Sequence, residues 1–274
     1  MNTVLVTGAS TGIGAATARR MKAAGWEVFA AVRNDADLER LRGEGFTPLK
    51  LEVTDAASIA AARAELGERG LGGLVNNAGI AVSGPIEHVP LDELRRQLDV
   101  NLVGQVAVTQ AFLPNIREAR GRIVNVSSIG GRIALPLVGP YAASKFALEA
   151  VSDSLRRELR PWGIGVAVIE PGAVITPIWE KGRETANRLE DEMGEQARSH
   201  YGGLAARIRA ETEKIPERGI DPDEVAKAIE HALTASRPKL RYVVGRDART
   251  RLKIRALVGD RRFDALIART LNWR

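Results

Sequence analysis

The sequence predicts an α/β protein in which one doubly wound parallel sheet of about seven strands is covered by helices on both faces. Three observations predict it. Short apolar runs alternate with helical stretches along most of the 274 residues. The runs are nearly continuously apolar, as strands buried on both faces are, where a half-exposed strand would alternate. No internal repeat or linker interrupts the chain, so one domain is expected.

The elements follow in order. "TVLVTG" (3–8) reads as a buried strand and "GIGAATARRMKAAG" (12–25) as a helix. "EVFAAV" (27–32) is the second strand, followed by the polar helix "DADLERLRGEG". "FTPLKLEV" (46–53) and "GGLVNNAG" (72–79) are two more strands, with an Ala-rich helix at 56–69 between them. Helical patterning covers 91–118 and 140–161, on either side of the strand "GRIVNVSS" (121–128). "GIGVAVIEPG" (163–172) is the next strand, and "LRYVVG" (240–245) the last. Residues 178–219 are charged and helical in pattern, an insertion long enough to be a functional lid. "DPDEVAKAIEHAL" opens with Asp221 and Pro222, suited to a cap and a first turn. The expected division is a main domain over 1–245 and a C-terminal extension over 246–274.

Composition narrows the function classes. With no cysteine, disulfides, thiol nucleophiles and thiolate metal sites are excluded. The three histidines, His88, His200 and His231, are too scattered to suggest a metal site. The N-terminus lacks a signal-peptide pattern. No apolar run approaches the ~18–20 residues of a membrane span. A cytoplasmic protein is therefore expected. The net charge of +6 resides in the tail: residues 245–274 carry nine Arg/Lys and three Asp, while the preceding 244 hold 31 charges of each sign. Nucleic-acid binding has only that tail in its favour, with no stacking platform or recognition motif, and is not expected.

Two motifs point to chemistry. In "YAASK", Tyr141 and Lys145 stand four residues apart, about one helical turn, so both lie on one face with only small residues between them. A neighbouring ammonium favours the phenolate, which suits a proton donor tuned towards neutral pH. In "TGASTGIG", glycines at 8, 12 and 14 follow a strand and open a helix. Glycines let the backbone approach a pyrophosphate, and a helix N-terminus offers free N–H groups and a positive dipole end.

Those two motifs, with "NNAG" (76–79), Asn101 in "DVNL", "NVSS" (125–128) and "PGAVIT" (171–176), occur in the order and spacing of the short-chain dehydrogenase/reductase family. The chain resembles that family over about residues 3–245. The resemblance implies a Rossmann-type fold and an oxidoreductase. By it, Tyr141 would exchange a proton with the reacting oxygen, and Lys145 would lower the tyrosine's pKa and hold the nicotinamide ribose. Ser128 would hold the substrate oxygen, and Asn101 would support a water relay to the lysine. Gly8, Ser10, Thr11, Gly12, Ile13 and Gly14 would cradle the cofactor phosphates. Glu52 and Val53 would flank the adenine, and Asn77, Ala78 and Gly79 would line the cofactor beneath. Pro171, Gly172, Val174 and Thr176 would sit by the nicotinamide.

Cofactor choice is read at the end of the second strand. NAD-using members resemble one another in having an Asp there; here the position is Val32, followed by Arg33, whose guanidinium suits a 2′-phosphate. NADP(H) is expected, with NAD(H) as the alternative. Thr11 occupies the place of a second basic residue that some NADP users carry.

The substrate would enter between 178–219 and the loops after Ser128 and Asn77. Their apolar members, Ile80, Val82, Ile129, Ile133, Leu135, Leu137, Ile178 and Trp179, suggest a lipophilic ketone or alcohol such as a steroid, retinoid or long-chain carbonyl compound. The extension resembles that of family members acting on steroids and retinoids. In it, Phe263, Leu266, Ile267, Thr270 and Leu271 form an amphipathic stripe that would pack on the chain itself, on a second subunit, or on an anionic membrane surface. Similarity to the family implies a dimer or tetramer formed through the helices at 102–118 and 140–161.

Overall fold

The computed structural model describes residues 2–273. Seven strands, β1 Thr3–Thr7, β2 Glu27–Val32, β3 Thr47–Lys50, β4 Gly73–Asn76, β5 Arg122–Val126, β6 Gly165–Pro171 and β7 Arg241–Val244, form one sheet in the order β3-β2-β1-β4-β5-β6-β7. Every pair is parallel. Strand order reverses beside β1, between β2 and β4, which is where an open α/β sheet leaves a crevice at its C-terminal edge.

The helices are α1 Gly12–Ala23, α2 Asp35–Gly43, α3 Ala56–Leu66, α4 Leu91–Leu98, α5 Gly104–Ala119, α6 Gly139–Glu158, α7 Ile178–Glu192, α8 Glu195–Glu213, α9 Ile215–Arg218, α10 Pro222–Thr234 and α11 Arg246–Thr270. Local chemistry starts several of them. Asn34 accepts from Asp37 N at the head of α2, Asp55 from Ala57 N at α3, and Asp221 from Asp223 N at α10, where Pro222 takes the first turn. The continuous apolar strands supply two cores, one on each face of the sheet. Val4, Val6, Val124 and Ile169 face Met21 of α1 and Ile229 of α10; Leu5, Leu74 and Ile123 face Ile59 of α3 and Phe112 of α5.

Three details refine the sequence expectation. The helical stretch expected across 91–118 is two helices joined by a π turn, Asp99–Val103. The third strand pairs over Thr47–Lys50, with Leu51 N still donating to Val32 O at 2.8 Å, and Glu52 and Val53 then turn to the crevice. The tail stripe is mostly spent on the chain itself: Phe263 is buried, Ile267 and Leu271 are half-buried, and Leu266 and Thr270 are exposed. Arg207 of α8 donates to the Leu271 carbonyl at 2.9 Å, tying the tail to the insertion.

That insertion, α7 to α9, leaves and rejoins the domain at one place. Val174 and Ile220 bridge in parallel, with Ile175 N donating to Ile220 O at 2.9 Å and Ile220 N to Ala173 O at 2.8 Å. Among the described residues, no helix is long and apolar enough to cross a membrane.

Candidate active site

A cavity of about 400 Å³ opens at the C-terminal edge of the sheet. Its first wall is the turn between β1 and α1. Gly8 has φ +64°, and a Cβ there would lie 3.0 Å from Ala78 Cα. Gly12 has φ +55°, and a Cβ there would lie 2.9 Å from Thr176 Cγ2. Only glycine combines that backbone with so close an approach. Thr11, at the head of α1, makes no side-chain cap, so the first N–H groups of the helix remain available to an anion.

Gly8, Ser10, Thr11, Gly12 and Ile13 line this wall; Arg33, Glu52 and Val53 line the next. Asn77, Ala78 and Gly79 form the floor, with Pro171, Gly172, Val174 and Thr176 across from them. Ser128, Tyr141 and Lys145 close the inner end. Two residues of the expected set are not on the cavity. Gly14 faces the turn itself: a Cβ there would sit 2.2 Å from Gly8 O and 2.6 Å from Asn77 Nδ2, so it permits helix–turn packing. Asn101 is fully buried behind the wall, in the π turn. Its Nδ2 donates to Ile80 O at 3.0 Å and to Ser144 Oγ at 3.2 Å, and its Oδ1 accepts from Ile80 N at 2.9 Å. Asn101 thus joins the loop after β4 to the Tyr141 helix, because Ser144 Oγ in turn donates to Tyr141 O at 2.7 Å. Gln97, also fully buried, braces the same loop through Val82 N and Ile80 O; no motif announces it.

Ser128, two residues beyond β5, has an extended backbone, and its Oγ accepts from Gly130 N at 3.0 Å. Tyr141 is in the first turn of α6, and Lys145 Nζ stands 5.8 Å from the centre of its ring. The lysine donates to Val126 O at 2.8 Å. Burial pulls Lys145 down to about 8, while the Glu149 carboxylate works in the opposite direction. Tyr141 differs from the expectation of a lowered value. Burial pushes its hydroxyl above the ordinary tyrosine range, with the Ser128 hydroxyl beside it acting the other way. Desolvation outweighs the Ser128 hydroxyl, so Tyr141 is held as a proton donor.

Arg33 is two-thirds exposed and lies 3.7 Å from Glu52 Oε2. Glu52 Oε1 accepts from Thr54 N and Thr54 Oγ1 at 3.2 and 3.1 Å. Among the described residues, no three His, Asp or Glu side chains gather as metal ligands.

A second, narrower cavity of about 90 Å³ runs under the insertion, lined among others by Leu137, Met193, Ala197 and Tyr201. Ala81, Trp179 and Gly182 line both cavities, so the two meet there. Trp179 is anchored by Nε1 donating to Val174 O at 2.8 Å. Ile80 and Ile178 face the larger cavity, whereas Ile129 and Leu135 line neither. Val82 and Ile133 are buried residues rather than pocket walls, a difference from Ile80 that an apolar count does not resolve.

The comparisons with known proteins agree with this geometry. The family described as short chain dehydrogenase matches residues 2–187. The chain is 37% identical to an NADPH-dependent 3-dehydrocapnine reductase of Ornithobacterium rhinotracheale, with 99% of this chain and 98% of that one covered. It is 41% identical to retinol dehydrogenase 16 of Mus musculus, covering 90% and 81%. A Burkholderia cenocepacia short chain dehydrogenase solved in complex with NADP superposes with a TM-score of 0.75 at 26% identity, over 98% of this chain and 96% of that one. With its seven-stranded parallel sheet and the Ser128, Tyr141 and Lys145 cluster on one cavity, this chain is an oxidoreductase belonging to the short-chain dehydrogenase/reductase family.

Proposed function

We propose that the protein uses NADP(H) to interconvert a carbonyl and a secondary alcohol on a lipophilic substrate. The observation that carries this reading is the continuity of one cleft. The glycine turn and Arg33 stand at one end, Ser128, Tyr141 and Lys145 at the other, and the apolar slot under α7 and α8 opens off it. The residues present fit a dinucleotide: a glycine cradle that a Cβ would fill, uncapped N–H groups of α1, and a cation where a 2′-phosphate would lie. The related reductase is NADPH-dependent and the Burkholderia structure holds NADP, which supports the same choice.

When bound, the nicotinamide cofactor supplies or accepts the hydride. The chain's own residues handle the oxygen. Ser128 Oγ donates a hydrogen bond to it as negative charge grows, and Tyr141 Oη delivers the proton in reduction. Lys145, as an ammonium, stabilises the tyrosinate left behind and holds the nicotinamide ribose. Asn101 keeps α6 and the Ile80 loop in register, and carries the water relay to the lysine. In the alcohol direction the same groups act in reverse.

The protein is further proposed to be cytoplasmic and to self-associate through α5 and α6. Val103 in the π turn and Phe146 on α6, both exposed, mark those faces. The reading is tested by following NADPH consumption with a panel of steroid, retinoid and long-chain ketones beside small sugars. Turnover of the lipophilic compounds is expected, lowered by about 10²–10⁴-fold in Tyr141→Phe with NADPH binding retained. Turnover confined to sugars would reject the lipophilic assignment, and no loss in Tyr141→Phe would reject the proton donor.

A further inference from the structure

Behind the Lys145 face of α6 lies a charged cluster that the reaction as described leaves unused. Glu149, one turn beyond Lys145, is 6% exposed, and Glu170, in β6, is 0% exposed. Arg241, at the start of β7, sits between them. Its Nε is 3.0 Å from Glu149 Oε2 and 3.2 Å from Glu170 Oε1, and its Nη2 is 3.0 Å from Asp153 Oδ1. Arg132 Nη1 reaches the same Glu170 oxygen at 3.1 Å. Glu170 is therefore a buried partner of two arginines.

The cluster adjoins the site along the main chain, since Glu149 follows Lys145 by about one turn of the same helix, α6. Ser127, Lys145 and Glu149 converge on Gly131: a Cβ there would lie 2.8 Å from Ser127 Oγ, 3.0 Å from Lys145 O and 3.1 Å from Glu149 Cγ. Glu149 Oε1, Glu170 Oε2 and Ser127 Oγ are buried without a hydrogen-bond partner. A buried ion pair is an expensive way to stabilise a fold, the more so with unsatisfied oxygens. Lys145 gives it a reason. The lysine is 4% exposed and its hydrogen-bond partner, Val126 O, is neutral. An ammonium in that position needs a buried anion within reach of its field.

We propose that Glu149, clamped by Arg241, is the buried counter-charge of Lys145: a positioning residue that keeps the lysine ammonium charged and in place without touching substrate or cofactor. The proposal rests on the oxidoreductase reading of Lys145. Arg241 is the second half of the device. Burial above all, and then the neighbouring Glu170, push Glu149 towards its neutral form, and the Ser127 hydroxyl and Arg241 oppose them. The groups around Glu149 are thus Lys145 on its own helix, Glu170 from β6, Arg241 from β7, and Asp153 and Arg132 at the margin. The first predicted consequence is directional. Removing the Glu149 charge lowers the pH at which Lys145 loses its proton.

The test is an NMR titration of the full chain labelled at lysine Cε, with Lys145 assigned by the signal missing in Lys145→Arg. The wild-type midpoint is expected near 8. Glu149→Gln should move it down by about one pH unit. Glu149→Asp, which keeps the charge, should restore most of the difference, and Glu149→Leu takes the place of Glu149→Gln if that variant does not fold. In kcat/KM for carbonyl reduction, which needs protonated Lys145, the fall at high pH should begin correspondingly earlier in Glu149→Gln. Folded Glu149→Gln with an unmoved midpoint, or Glu149→Asp as shifted as Glu149→Gln, overturns the proposal. The titration needs no substrate. A wild-type protein that reduces no carbonyl compound therefore rejects the proposed function by itself, and an unmoved lysine in an active enzyme rejects only this inference.

Discussion

Arg33 and Glu52 are proposed to set cofactor choice between them. The guanidinium is exposed and its pairing with Glu52, at 3.7 Å, is loose, which makes the pair weak and easily redirected to a phosphate. Arg33→Ala should weaken NADPH binding by about 10–100-fold, the range for a hydrogen bond to a charged group, and leave NADH binding nearly unchanged. Glu52→Gln should do the opposite, tightening NADPH binding several-fold by removing the competing anion. Direct fluorescence titrations of both cofactors at fixed salt would check the pair, since exposed charges are screened. Equal losses for NADH and NADPH in Arg33→Ala would leave Arg33 as a strand end. At this scale the sequence was legible where spacing implies proximity. Tyr141 and Lys145 are indeed neighbours. The direction of the tyrosine shift was not legible, because it depends on how much water the fold excludes. Glu149, Glu170 and Arg241 were invisible for a related reason: three positions scattered over the chain meet only when β6 and β7 pair beside α6.

At the scale of elements, the strand runs could be read because burial on both faces leaves an unbroken apolar signature. The π turn at Asp99–Val103 could not, since one added residue in a helix barely disturbs the apolar period. Its effect is local and large: it places Asn101 where it holds the Ile80 loop and Ser144 together. The Gly14 motif was legible as a position but not as a cause. It serves the approach of α1 to its own turn, not the wall of the cavity. Gly14→Ala should therefore cost about 1–3 kcal/mol of stability, typical of overpacking against backbone that cannot move aside. Urea denaturation would measure it. A loss of cofactor affinity with unchanged stability would return Gly14 to the cavity wall.

On the scale of the whole molecule, the tail is part of the domain's packing. Phe263 is buried and Ala248 fully so, although much of α11 is charged and exposed. Phe263→Ala should destabilise the protein by about 3 kcal/mol, as for other buried aromatic side chains. A thermal melt would show it, and an unchanged melt would mean the tail is an independent appendage. The insertion tells a different story about how such a protein changes over time. Its two ends are stitched together by the Val174–Ile220 bridge, so the domain beneath sees the same anchor points whatever lies between them. Loop-closure entropy grows only slowly with the length spanned. Residues 178–219 are in effect a cassette: their length and lining can drift, or be exchanged with those of a relative, while the sheet, the cradle and the proton donor stay as they are. On the proposed reading, substrate range and catalytic competence are then separately inheritable in this molecule.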